Sequence, residues 1–285
     1  MDRLTTIVLY GLRESLRRKM FAVVLVLTLG FLALYGWGVH AAFKDTRSFV
    51  GPGQQNLDSD QLAGAIVFGL AMFATLFLGA VLAVFLTLNV VRGDAEAGLL
   101  QPLVVRPIGR TQLLLARFLG AAGVCVAYVL VVYFVSLGIT NWAGGWTPDR
   151  VIAPGVELAA AVVVVAALAT AGSVFLAPIA NGIGTLMVFG AGLMAGLLGE
   201  IGHAINSHKL QHISRIAWWF IPFDALYEDA LHRLTVDTTG FAKFVLELGP
   251  FGGSHHAGPA LLAWSAVYLV LVLVAAVAAF STRDL

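Results

Sequence analysis

The sequence predicts an all-α integral membrane protein with six transmembrane helices, an N-terminal interfacial helix, and an extracytoplasmic helical lid between spans five and six. Of its 285 residues, 59% are hydrophobic and 12% are charged, and the mean hydropathy is +0.90. An average soluble domain has about 25% charged residues, so a soluble protein of this composition would not cover its own surface. Six apolar stretches, separated by polar segments, supply the predicted spans.

Residues 1–19 are predicted to form an amphipathic helix that lies in the membrane interface. Leu4, Ile7, Val8 and Leu12 share one side at helical spacing, and the basic residues lie largely elsewhere. A basic helix with one apolar face binds in the plane of the interface rather than across the bilayer. A plain cytosolic extension ahead of the first span is the alternative interpretation.

The predicted spans cover residues 20–42, 62–91, 113–140, 156–177, 183–198 and 259–280, with an uncharged tight turn at 178–184. Charged side chains are almost absent from the middle of these spans, which argues against an ion-coupled carrier. The same feature favours a substrate that is itself apolar or amphipathic. Phe73, Phe77 and Asn89 of the second span are candidates to line its path, with lipid-facing or packing side chains as the alternative.

The orientation in the membrane follows from the basic residues, because cytoplasmic loops carry an excess of Lys and Arg. Six spans place both termini on one side. If the N-terminus is cytoplasmic, the cytoplasmic side holds ten of the 17 basic residues and five of the 16 acidic residues. The other side then holds seven basic and eleven acidic residues. The sequence therefore predicts a multi-pass protein of the cell (plasma) membrane, with both termini cytoplasmic and region 199–258 extracytoplasmic.

The segment 92–117 lies between two of the longest apolar runs and is too polar for hydrocarbon, because it holds four arginines, an aspartate and a glutamate. Its glycines relax the backbone, while Pro102 and Pro107 prevent a continuous helix. The pattern predicts a kinked connector on the cytoplasmic surface, with residues 92–112 as a loop suited to docking a soluble partner. A plain solvated connector would explain the arginines but not the order of the glycines, the prolines and Glu96.

The residue order in this segment resembles the cytoplasmic signature of ABC type-2 permeases, the membrane halves of ATP-driven exporters. The resemblance is carried by Glu96 and Gly98, a leucine run, Arg106-Pro107-Ile108, and Arg110 ahead of an aliphatic run to Arg117. It implies one transmembrane permease domain over residues 1–285 that exports an apolar or amphipathic substrate, drug-like or lipid-like. It also implies coupling to a partner ATPase through Arg92, Asp94, Glu96, Gly98, Arg106, Pro107 and Arg110.

The sequence contains no GxxxxGK[ST] phosphate-binding motif, so the chain itself does not bind ATP in the P-loop manner. The resemblance therefore implies a transport subunit, not an enzyme, which binds no cofactor directly and leaves ATP and magnesium to its partner. The implied partners are two copies of a cytoplasmic ABC ATPase subunit, a second copy or a homologue of the permease, and membrane lipids. A net charge of only +1 gives no reason to expect nucleic acid as a partner.

Region 199–258 contains an aromatic cluster followed by a short acidic helix that Asp224 is placed to cap. In permeases of this type, short helices between the fifth and sixth spans gate the outer mouth. The resemblance thus implies an outer gate in the headgroup layer, formed by Trp218, Trp219, Phe220, Pro222 and Phe223. Interfacial anchoring by tryptophan is the alternative, and it is compatible with gating.

Small residues allow helices to approach closely, and the fifth span contains one GxxxG pattern at Gly192 and Gly196. In the family, the dimer seam involves the first and fifth spans. The resemblance therefore implies that the two glycines lie at a seam between two permeases. Internal packing explains the same pattern equally well.

Four residues of the outer region invite a metal-binding interpretation: Glu200, His203, His208 and His212. Zinc sites do use histidines four residues apart on a helix, but the HExxH motif is absent and solvated histidines explain the spacing better. The prediction is therefore no metal site. A membrane-embedded metal-dependent hydrolase and an ATP-independent carrier are the alternative functions.

Overall fold

The computed structural model describes residues 19–49, 57–88, 109–148, 150–235 and 258–282, and all regular structure in these ranges is helical. The helices are α1 (Lys19–Phe49), α2 (Leu57–Thr87), α3 (Arg110–Gly144), α4 (Ile152–Phe175), α5 (Pro178–Ala204), α6 (His208–Phe220), α7 (Pro222–Thr235) and α8 (Pro259–Ser281). Six of them, all except α6 and α7, are long and apolar enough to cross a membrane. The predicted all-α class with six spans is therefore confirmed. The predicted interfacial helix falls outside the described residues, apart from Lys19.

The fifth span is longer than predicted, because α5 runs over Pro178–Ala204 instead of 183–198. The predicted turn at 178–184 is wrong. Pro178 occupies the first turn of α5, where a helix needs no backbone N–H donor, so the proline starts the helix instead of breaking it. Only Leu176 and Ala177 separate α4 from α5.

The centre of the bundle is α4, which packs against α2, α3, α5, α7 and α8. The buried fraction of its most apolar window is 67%, against 22% for α1 and 11% for α8, so those two helices lie at the periphery. The buried side chains of α4 are mostly alanine and valine, whose small size lets the neighbouring helices approach.

Helix α2 crosses α3 and α4 at Gly79. A Cβ atom at this position would lie 2.9 Å from Val162 of α4 and 3.0 Å from Val129 of α3. Side-chain atoms of two neighbouring helices thus fill the space that any larger residue would need. The crossing therefore requires glycine at this position.

The short helices α6 and α7 follow α5 in the chain and differ in burial. Helix α6 packs on the end of α5, where Gly199 and Gly202 leave room for Ser214 and Leu210. Helix α7 lies among the spans and contacts α2, α4, α5 and α8, so that residues 222–231 are all buried. The sequence predicts short helices here in the headgroup layer. The structure surrounds α7 with four spans, because its apolar side chains find partners on more than one of its faces. The position of these helices in the headgroup layer stays a prediction.

Replacing Gly79 by leucine is predicted to lower the free energy of unfolding by about 1–3 kcal/mol, because the new side chain overpacks the crossing of α2 with α3 and α4. Thermal unfolding of the purified chain in detergent measures the change. Gly123→Leu on α3 is the matched control, because a Cβ atom at Gly123 meets no atom within 4 Å. Equal stability of the two variants would contradict the described crossing.

Candidate functional site

Most of the residues predicted to couple the chain to an ATPase lie outside the described residues, as does Asn89 of the predicted substrate path. They are Arg92, Asp94, Glu96, Gly98, Arg106 and Pro107. Arg110 is the first residue of α3, and its side chain is also outside the described part. Leu88, directly after α2, packs against Gly182 near the start of α5. Helix α2 therefore ends at the end of the bundle where α5 begins.

The residues predicted as an outer gate divide into two groups, and the first group contacts the last span. Trp219 and Phe220, at the end of α6, are exposed and face α8 across an apolar groove of about 440 Å³. The indole N–H of Trp264 donates to the carbonyl oxygen of Trp219 at 2.9 Å, and the two rings lie 5.5 Å apart. Trp218 beside them is half-buried. The hydrogen bond and the ring contact between Trp264 and Trp219 hold α6 against α8.

The second group, Pro222 and Phe223, lies inside the bundle at the start of α7. The ring of Phe223 stacks on Phe189 of α5 with centroids 5.1 Å apart, and Phe189 packs against Phe77 of α2 at 6.3 Å. Phe77 is 46% exposed whereas Phe223 is fully buried. One row of aromatic rings therefore leads from the surface of the bundle, at a predicted path residue, to its interior, at a predicted gate residue.

Phe73, the other predicted path residue that the structure describes, also contacts α7. Its ring packs edge-on against Tyr227 with centroids 6.4 Å apart. The sequence places Phe73 and Tyr227 in separate predicted features, a path and a lid. The structure brings these features together on one side of α7.

Gly192 and Gly196 of α5 face α7 of the same chain. A Cβ atom at Gly192 would lie 2.6 Å from Phe223, and one at Gly196 would lie 2.5 Å from Asp224 Oδ2 and 2.7 Å from Glu228 Oε1. Internal packing, the alternative that the sequence leaves open, therefore accounts for both glycines within the single chain. Their role at a seam between two copies stays a prediction.

The glycine face of α5 accommodates two acidic side chains of α7 inside the bundle. Asp224 and Glu228 are 3% and 1% exposed. Oδ2 of Asp224, both carboxyl oxygens of Glu228 and the hydroxyl of Tyr227 have no hydrogen-bond partner among the described residues. Buried polar atoms without partners are rare in folded proteins. Their concentration on one turn of α7 marks this cluster as a candidate functional site.

The surroundings of this cluster favour protonated carboxyl groups. Burial, which disfavours the charged form, raises the pKa of Asp224 to about 8. Burial also raises the pKa of Glu228 well above its ordinary value, and repulsion from Asp224 and Glu200 adds to the effect. Burial and the same two α7 acids raise the pKa of Tyr227. The burial of Asp224 and Glu228 therefore favours their protonated forms, which can donate as well as accept hydrogen bonds.

A second polar group lies where α7 meets α4. Nε of Arg233 lies 2.7 Å from Oε1 of Glu157, and Nε and Nη2 of Arg233 donate to Oδ2 of Asp229 at 3.0 and 2.8 Å. The guanidinium of Arg233 thus contacts two carboxyl groups, that of Asp229 on its own helix and that of Glu157 on α4. Because separating these groups would leave charge unpaired in the bundle, the contact holds α7 against α4.

Glu157 and the burial of α7 are not predicted from the sequence. Glu157 is the second residue of the predicted span 156–177 and is 8% exposed, so it is a buried acid at the edge of a span and not in its middle, where the sequence predicts almost no charge. The available signal was a single charge within the first turns of an otherwise apolar run. For α7 the signal was the apolar spacing from Phe223 to Leu234, which is typical of a packed helix.

The residues that invite a metal-binding interpretation are not brought together. In the ranges that the structure describes, no three His, Cys, Asp or Glu side chains form a group that could hold a metal ion. His203, His208 and His212 are exposed, whereas Glu200 is buried on α5. The described residues therefore offer no metal geometry for the alternative hydrolase.

Comparison with known proteins agrees with the features of the segment 92–117. A family model described as "ABC-2 family transporter protein" matches residues 5–285, which is nearly the whole chain. A search of the curated proteins gives no match. The family match extends the resemblance from one polar segment to all six spans and to α7.

The raised pKa of Asp224 predicts a stability that depends on pH. The pKa of Asp224 is 3.8 in the unfolded chain and about 8 in the folded chain, so between these pH values only the folded chain keeps the proton. The stability that the protonated carboxyl group contributes is therefore lost as the pH rises through this window. Asp224→Asn has no proton to lose and should gain stability relative to the wild-type chain as the pH is raised through this window. Thermal unfolding of both proteins in detergent measures the gain. A difference that does not change with pH would contradict the prediction.

Arg233→Met is predicted to lower the free energy of unfolding by about 3–5 kcal/mol, because it leaves Glu157 and Asp229 without their shared counter-charge. Adding Glu157→Gln removes one of the two carboxylates and should restore part of the loss. Denaturation of the purified variants by heat gives both values. Arg215→Met, at an exposed position of α6, is the control for the loss of an arginine. A loss no larger than that of the control would show that α7 does not depend on this contact.

Proposed function

The chain belongs to the ABC-2 family of transporter proteins, and from this membership we propose that it is the permease subunit of an ATP-driven exporter. The observation that carries the proposal is the family match over residues 5–285 of a chain whose sequence has no P-loop motif. Permeases of this family associate with an ABC ATPase subunit. The motor is then a separate cytoplasmic chain, on which ATP and magnesium bind.

Residues 92–112 form the proposed docking segment for that ATPase. The segment joins α2 to α3 and leaves the bundle at the end opposite to α7. Its charges suit contact with a soluble protein surface, with Arg92 and Glu96 facing the partner. Pro107 and Arg110 fix the direction in which the chain enters α3.

Helix α2 is the proposed link between the docking segment and the buried acids. At one end of α2, Leu88 packs against Gly182, and in the middle of α2 Phe73 packs against Tyr227 of α7. Because packed helices shift as rigid units, a displacement of the docking segment would move α2 against α7. Such a movement would open the aromatic row that begins at Phe77 to an apolar or amphipathic substrate.

Two permeases, identical or homologous, are proposed to enclose the pathway together with two ATPase subunits. Helices α1 and α8 bury only 22% and 11% of their most apolar windows, which leaves surface for a second permease and for lipid. The excess of basic residues on the side of the termini supports a cell-membrane protein with both termini in the cytoplasm. In that orientation α7 lies near the extracytoplasmic side, and substrate leaves outward or passes between leaflets.

One observation favours a second candidate function, the ATP-independent carrier. Buried acids among transmembrane helices are a common feature of ion-coupled transporters, and Glu157, Asp224 and Glu228 are such acids. The sequence argument against this class concerned the middle of the spans and did not include these acids, which lie at the edge of one predicted span and outside the others. A requirement for a separate ATPase distinguishes the two functions.

Glu96→Lys is predicted to uncouple ATP hydrolysis from transport, because the reversed charge repels the part of the ATPase that the docking segment attracts. In proteoliposomes that hold the chain and its ATPase, hydrolysis should continue while ATP-dependent movement of a fluorescent amphipathic dye falls by roughly tenfold or more. The control is Asp149→Lys, in the connection between α3 and α4 at the other end of α3, which should keep coupling. Full coupling in the Glu96 variant would count against the docking segment.

A further inference from the structure

A cavity of about 560 Å³ lies between α3, α4, α7 and α8, within the range of about 300–1,000 Å³ typical of small-molecule sites. Its walls are chiefly valine, leucine and alanine, with Leu226 contributed by α7 and Leu262 by α8. Glu157 and Ser265 are the polar residues that line it. The hydroxyl of Ser265 donates to the carbonyl oxygen of Leu261 in its own helix. Glu157 therefore provides the charge of an otherwise aliphatic cavity.

The contacts around Glu157 leave one of its two carboxyl oxygens without a hydrogen-bond partner among the described residues. Its Oε1 contacts Arg233, whereas its Oε2 is buried and has no hydrogen-bond partner among the described residues. Arg233 is shared with Asp229, which also lies close to Glu157. Arg150, exposed ahead of α4, attracts Glu157 more weakly than Arg233 does, and solvent screens its charge. Two carboxyl groups at this wall of the cavity therefore share one guanidinium.

We propose that this cavity is a substrate-binding site for an amphipathic organic cation, whose ammonium group lies against Glu157 and whose hydrocarbon body fills the aliphatic walls. The inference rests on the proposed export function, because it names the class of substrate that the same chain takes. An apolar cavity strengthens the attraction between opposite charges, and a buried carboxylate oxygen without a donor is unfavourable until one reaches it. An ammonium group supplies the positive charge and the donor together. An anion would be repelled, and a neutral hydrocarbon would leave Oε2 without a partner.

The cavity and the aromatic row lie on different sides of α7. Leu226 faces the cavity, while its neighbour Tyr227 packs against Phe73 of α2, and Phe223 packs against Phe189 of α5. Helix α7 is thus the wall between the two. A movement of α7 that opens the aromatic row also changes the cavity, so a cation held at Glu157 gains a route past α7.

Binding to this cavity is testable without the ATPase. The purified chain in lipid nanodiscs is equilibrated with radiolabelled 1-adamantylammonium, which has an ammonium group on a compact hydrocarbon body, and empty nanodiscs correct for partition into lipid. Adamantane-1-carboxylate has the same hydrocarbon body and the opposite charge, so it is the matched control for charge. We expect saturable binding of the cation and none of the anion.

Two variants test the site itself. Glu157→Gln keeps the size of the side chain and leaves Arg233 with Asp229, and it should weaken binding of 1-adamantylammonium by roughly tenfold or more. Ala266→Trp fills the cavity from α8 without changing any charge and should abolish saturable binding. Glu200→Gln is the matched control, because Glu200 is a buried acid that does not line the cavity, and it should bind as the wild type does.

Three results would overturn the inference: equal affinity in the wild type and Glu157→Gln, equal binding of the cation and the anion, or no saturable binding of the cation. None of them bears on the export proposal, which is tested by the Glu96 variant in the presence of the ATPase. Saturable binding that Glu157→Gln and Ala266→Trp both remove would establish the site even if no ATPase drives the chain.

Discussion

The burial of α7 among apolar spans is the constraint on which the rest of the described structure depends. Hydrocarbon offers no hydrogen-bonding partner, so polar side chains that enter the bundle have to be compensated by the chain itself. Arg233 compensates Asp229 and Glu157 through contacts of 2.7 to 3.0 Å. Asp224 and Glu228 form no ion pair among the described residues, and burial favours the protonated form of each by raising its pKa. The guanidinium of Arg233 thus holds α7 against α4, and protonation lowers the cost of burying the other two acids.

Small residues make this burial possible, and they connect α7 to the rest of the bundle. Gly192 and Gly196 remove the side chains of α5 that would collide with Phe223 and with the carboxyl groups of α7. The alanines and valines of α4 allow a close approach on another side. As a result, one short helix contacts α2, α4, α5 and α8 at once. A shift of any of these spans changes the surroundings of the buried acids, which suits an element that responds to a motor acting at the opposite end of the bundle.

The all-α class and the six spans are predictable from the sequence because spanning length and apolar composition are properties of single segments. The start of α5 is less predictable, since proline both ends and begins helices, and the extended backbone of Ala177 decides that Pro178 begins one. The site depends on contacts between segments far apart in the chain. From the sequence alone, the acids of α7 indicate a helix exposed to solvent, and the contact of Arg233 with Glu157 on α4 appears only in the structure. Likewise, Gly196 indicates a helix contact whose partner is unknown, and the structure shows that the partner is Asp224. No local pattern contains that information.

The central claim is that this membrane subunit does no work without a separate ATP-hydrolysing chain. Gentle purification of the protein from its native membranes, with quantification of whatever remains bound, tests this most directly. The account predicts a P-loop ABC ATPase present in equal amount with the permease. Recovery of the chain without any ATPase, in a form that moves an amphipathic dye across proteoliposomes under an ion gradient alone, would contradict it.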